Sequence, residues 1–201
     1  MKLPFETYNP VWKVKFEEIK ASLQTLLVSV NPAIEHIGST AVCGLSAKPI
    51  IDIQLGVKNE DELNELPKLL KGSNIVYYEK YNEDMPERRF FVVFNRTTDE
   101  MGVLPIVGLT EEIPQILHNH DLRVAHIHAF IKNSSGWTRH IAFRDYLLAH
   151  PDVTSQYQQL KEELVKRNWK DGNQYNEGKD SFLKHYEKIA IEWYAQENRT
   201  L

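Results

Sequence analysis

The nine residues PIIDIQLGV, Pro49 to Val57, constrain the fold more than any other stretch. Successive side chains of a strand point to opposite faces, so Ile51, Ile53, Leu55 and Val57 share one face and Ile50, Asp52 and Gln54 the other. A strand this apolar belongs inside a sheet. A lone carboxylate in it is costly to desolvate unless it meets a metal, a cation or several hydrogen-bond donors. Upstream, Ala33 to Ile37 reads as a short strand running into Gly38-Ser39-Thr40. A glycine there lets the backbone approach an anion, and the N–H groups and hydroxyls that follow supply donors. Lys48 adds positive charge. The alternative is a capped turn with no ligand. The spacing is not that of a P-loop, since no Gly-Lys-Ser/Thr follows.

The rest of the chain supplies layers for that strand. Asn9 to Leu27 predicts a helix capped by Asn9, with Trp12, Phe16, Ile19, Leu23 and Leu26 along one stripe. Asn59 to Lys71 predicts another, with Leu63, Leu66 and Leu70 inward and Pro67 shortening it. Strands are expected at Ile75 to Glu79, Arg88 to Phe94 and Arg123 to Ile131. Between Asn95 and Leu122 the pattern is weak, with an edge strand at Val103 to Val107 and a short helix at Glu111 to His118. A helix capped by Ser134 or Ser135 runs to about Ala149, a second is capped by Asp152, and a last one carries Phe182, Tyr186, Ile189 and Trp193. Residues 1–201 therefore read as one α+β domain: a mixed β-sheet with flanking helices and a helical C-terminal part from about residue 135.

Two further features carry chemistry. His126 and His128 point the same way from one strand, a spacing suited to metal ligation or phosphate binding, although paired strand histidines also occur as structural residues. The pair resembles the strand of the histidine triad hydrolases, but the third alternating position is Phe130. Arg88 and Arg89 open the strand RRFFVVF, and one of them must point to the face the sheet uses.

The segments IEHIGSTAVCGLSAKPIIDI, RRFF, HIHAF and WTRHIAFRDYLLAHPDVTSQYQQLKEEL together resemble the GrpB family, from YNPVW near the start to YNEGKDSFLKHYEKIA. That family is similar to the nucleotidyltransferases typified by DNA polymerase beta. The resemblance implies a nucleotidyltransferase-like fold in which the Gly-Ser turn holds nucleotide phosphates and carboxylates hold divalent ions. Gly38, Ser39 and Asp52 fall on the pattern. The second carboxylate position is Gln54, and the candidate strand for the third carboxylate offers His126 and His128. The implied catalytic and metal residues are Asp52, His126 and His128. Gly38, Ser39, Thr40, Lys48, Arg88 and Arg89 would bind phosphate or nucleotide, with Mg2+ or Mn2+ as cofactor.

The expected partner is a nucleotide or phosphorylated small molecule, bound with or without nucleotidyl transfer. The alternative is a non-catalytic binding or interaction module with a degenerate site. A formal net charge of -4 argues against a nucleic-acid partner. No apolar run reaches membrane-spanning length, and one cysteine, Cys43, fits a reducing cytoplasm.

Overall fold

The computed structural model describes residues 5–72, 74–167 and 172–198, excluding the side chains of 172–176. Its core is one six-stranded mixed sheet in the order β1-β2-β6-β4-β3-β5. The strands are β1 (Ala33–Ile37), β2 (Ile51–Val57), β3 (Ile75–Tyr78), β4 (Arg89–Phe94), β5 (Ile106–Val107) and β6 (Arg123–Ile131). β2 and β6, second and third in that order, run parallel. β1 and β4 flank them antiparallel.

One face of the sheet is largely apolar. Ile51, Ile53 and Leu55 of β2, Ala125 and Ile127 of β6, and Phe91 of β4 are sealed there beneath α1 (Val11–Leu26) and α2 (Glu60–Leu69). Each large side chain buried in this way contributes about 1.5–3 kcal/mol. Pro10 takes the cap position of α1, and Asn9 lies one residue before it, its side-chain oxygen accepting the Val11 N–H at 3.0 Å. The inward stripe of α1 continues into the following turn as Leu27 and Val30, and Leu26 faces solvent. A step of four from Leu23 keeps the stripe on the sheet where a step of three does not. Pro67 sits in the last turn of α2 without breaking it.

The opposite face is divided. At one end α4 (Ser135–Ala149) lies against β1 and β6, where Ile37, Phe130, Trp137 and Ile141 cluster. α5 (Pro151–Val165) and α6 (Gly172–Glu197) pack on α4. The seat is tight: a Cβ on Gly56 of β2 would lie 2.5 Å from the Trp137 ring. His150 precedes α5 and Pro151 opens it, so Asp152 lies inside the first turn instead of capping it. At the other end, Val76, Tyr78, Val92 and Phe94 are covered by Met101, Val107, Leu117 and Leu122. That cover comes from the weakly patterned segment. Its edge strand shrinks to β5, its helix to a 3-10 turn at Gln115–His118, and it gains α3 (Thr98–Met101) behind a Thr97–Glu100 capping box. Of the expected helical C-terminal part, residues 168–171 and 199–201 lie outside the described residues.

Candidate active site

Between the two apolar covers the same face carries a polar strip, and strand register explains it. Asp52 pairs with His126 and Gln54 with His128 across the parallel β2–β6 seam. His126 Nδ1 lies 3.2 Å from Asp52 Oδ1, and His128 Nε2 lies 3.9 Å from the same oxygen. On the other side Ile37 is opposite Asp52, which brings Gly38 beneath the carboxylate. A Cβ on Gly38 would sit 2.5 Å from Asp52 Oδ2, and the residue adopts φ +70°, so both space and backbone require glycine.

Burial opposes ionisation of Asp52, but hydrogen bonds and charge from His126 and His128 outweigh it and hold the carboxyl below the usual range. With Asp52 ionised, the Nδ1 proton of His126 is directed to it, and Nε2 remains as acceptor facing Arg123 Nη1 at 3.5 Å. Burial pushes His128 below its ordinary pKa, against the pull of Asp52. Burial also lowers His120 to about 4 and His140 to about 3, with nearby positive groups adding to the effect.

These groups line a cleft of about 810 Å³. Five Lys or Arg side chains face it: Lys48, Arg88, Arg123, Lys161 and Lys179. His118, His120, His126, His128 and His140 join them, against two carboxylates among the described residues, Asp52 and Glu187. Glu187 is already paired with Arg139 at 3.3 Å. Phe90, Tyr81 and Phe143 give the cleft its apolar surface.

Of the residues expected from the sequence, Gly38, Ser39, Thr40, Lys48, Asp52, Arg88, His126 and His128 converge on this cleft. Thr40 is buried, and its hydroxyl pairs with His36 Nε2 at 2.9 Å. Arg89 does not belong to the group. It pairs with Ala129, on the apolar-face side of the sheet, and donates to Asn64 Oδ1 of α2 at 2.6 Å. Strand parity sends Arg88 and Arg89 to opposite faces, and the cleft takes Arg88.

Sequence reasoning missed Arg123, His120, His140, Lys161 and Lys179. Arg123 was within reach, since it opens the same strand as the two histidines. The rest arrive from loops and helices whose docking no local pattern announces. Lys161 is 2% exposed and donates to the Ser46 carbonyl. Burial lowers its amine to about 7 and that of Lys179 to about 8.

The residues present do not fit the two-ion site that the resemblance implies. Gln54 is fully buried, and its Nε2 donates to the Trp137 carbonyl at 3.0 Å, so it does not reach the cleft. Both His126 ring nitrogens already have partners. Among the described residues no three His, Cys, Asp or Glu side chains are placed to share an ion.

An α+β fold with one polar, cation-lined cleft at a parallel strand seam defines the class. Within it, this chain belongs to the GrpB family: residues 3–188 match the family described as GrpB protein. The crystal structure of conserved protein GrpB from Enterococcus faecalis is similar, with 28% identity and a TM-score of 0.72 over 94% of this chain and 98% of that one. Glutamate-rich protein GrpB of Alkalihalophilus pseudofirmus is 29% identical over 88% of this chain and 89% of its own length. UPF0157 protein YqkA of Bacillus subtilis is 29% identical over 98% of this chain, which spans half of that relative's length. Among the described residues no helix is long and apolar enough to cross a membrane.

Proposed function

We propose that the cleft binds a phosphorylated small molecule of nucleotide size. The observation that carries this reading is the convergence, among the described residues, of five Lys or Arg side chains on a cleft with two carboxylates, in a chain whose net charge is -4. Such a concentration of like charge is unfavourable without a compensating anion. Three further groups support it. Arg88 Nε, His120 Nδ1 and His128 Nδ1 are buried without hydrogen-bond partners, and all three belong to residues lining the cleft. The volume suits a nucleotide, and Phe90 and Tyr81 offer apolar surface to a base or sugar.

A second reading, nucleotidyl transfer, draws on the close approach of Gly38 to Asp52, which places a turn of phosphate-binding type beside a carboxylate. Calorimetric titration with nucleoside mono-, di- and triphosphates and inorganic phosphate tests the first reading. Micromolar binding supports it, and failure of the whole panel with and without Mg2+ defeats it. Turnover of a bound triphosphate would add the second.

A further inference from the structure

We propose that this site holds phosphoryl groups with fixed cations in place of a divalent ion, and that Asp52 serves as a positioning residue for His126. The inference rests on the reading that the cleft binds a phosphorylated ligand, and it names how.

Four observations lead there. Gln54, two residues along from Asp52, is fully buried outside the cleft lining, its Nε2 on the Trp137 carbonyl and its Oε1 without a partner, so it offers no oxygen to an ion in the cleft. Both cleft carboxylates are engaged by positive or proton-donating groups, Asp52 by His126 and His128 and Glu187 by Arg139. The imidazole nearest Asp52 has its remaining nitrogen against Arg123, so an ion at that nitrogen would lie beside a guanidinium. The buried nitrogens without partners include Arg88 Nε, which only donates and cannot ligate a metal.

The same groups suit a bound phosphate. Arginine presents paired donors to phosphate oxygens, and lysine supplies a compact charge. Arg123 comes from the start of β6, Arg88 from the residue before β4, Lys48 from the loop before β2, and Lys161 and Lys179 from the C-terminal helices, so donors enclose the cleft from several sides. Asp52 then has a different task. It fixes the Nδ1–H tautomer of His126, so that Nε2 accepts from Arg123 Nη1 and orients that guanidinium at the cleft.

The two arrangements predict opposite signs for one substitution. Where an ion bridges Asp52 and phosphate, Asp52→Asn abolishes phosphate binding. Where fixed cations hold the phosphate, the same change removes a negative charge from beside the ligand and strengthens binding. The test is calorimetric titration of the full chain with inorganic pyrophosphate in EDTA, with a separate Mn2+ titration followed by electron paramagnetic resonance. The expected results are pyrophosphate binding in EDTA, about threefold tighter binding by Asp52→Asn and about tenfold weaker binding by Arg88→Met. Mn2+ alone should bind the wild type no tighter than about 1 mM. Pyrophosphate binding that requires Mg2+ or Mn2+, or is lost in Asp52→Asn, overturns the inference and leaves the ligand class standing. Tight Mn2+ binding to the wild type overturns it even if Asp52→Asn does not fold. Absence of binding by pyrophosphate and every nucleotide, with or without metal, defeats both readings together.

Discussion

Gly38 and Asp52 are packed so closely that no other residue fits at position 38: an added methyl would lie 2.5 Å from the Asp52 carboxylate. The contact joins the end of β1 to the start of β2 and fixes where the carboxylate can point. Gly38→Ala should therefore cost at least about 2 kcal/mol, from the left-handed backbone and the displaced side chain together. Urea unfolding measures the loss. Phosphate or nucleotide binding should weaken in the same variant at temperatures where it stays folded.

Gln54 makes a second sharp case. Its amide donates to the Trp137 carbonyl in a fully buried setting. Gln54→Asp would set a carboxylate against that carbonyl oxygen, and destabilisation of about 3 kcal/mol or more is expected. Gln54→Met loses one hydrogen bond and keeps the volume, so roughly 1 kcal/mol is expected. Equal stability of the two variants in urea would show that the site admits water.

The parity argument on β2 and β6 thus identified the right strip of sheet and the right partners for Asp52. It could not distinguish Asp52, open to the cleft, from Gln54 on the same face, because the difference is made by Trp137, about eighty residues later in sequence and seated in the hollow left by Gly56. For the same reason the sequence does not single out Lys161 or Lys179. Their place at the cleft is a property of how three helices dock, and nothing within eight or ten residues of either lysine records it. Arg89 was misplaced for a simpler reason: two adjacent arginines at a strand start cannot be sorted by face until a neighbouring strand fixes the register.

Acid sensitivity follows from the buried histidines. His36 and His120 are held at about 4 and His140 at about 3, in each case chiefly by burial. Unfolded histidines titrate near 6.5, so the unfolded state binds more protons below that value. Stability is fully present above about pH 6.5 and is lost as pH falls towards 4. Melting temperature should drop through that window, well above the range in which Asp52 is protonated. The drop should be shallower in His140→Gln. A flat profile between pH 7 and 4.5 would contradict the burial of these rings.

Arg144 ties α4 to β1, donating from Nη1 to Glu35 Oε2 at 2.8 Å and to the His36 carbonyl at 3.0 Å, while its Nε donates to Asp145. Arg144→Met should cost about 2 kcal/mol, and Arg144→Lys should recover only part, since one ammonium cannot reproduce the planar set of donors. Thermal unfolding of the three proteins side by side checks both expectations.

Lys161→Met replaces a buried amine by an uncharged chain of similar length. The amine has one hydrogen-bond acceptor, the Ser46 carbonyl, and stands over the Tyr157 ring. Stability at pH 7 should change by less than about 1 kcal/mol, because lost desolvation cost offsets the lost bond. Pyrophosphate affinity should fall. A large stability loss with unchanged affinity would make Lys161 a clasp for the Ser46 loop and nothing more.

The cleft draws its walls from residues as far apart in the chain as Gly38 and Lys179. No partial product of synthesis contains it: a ribosome that has released the whole sheet has still to deliver α5 and α6. An occupant would therefore stabilise only a chain in which α5 and α6 have docked, tying those helices to strands made long before.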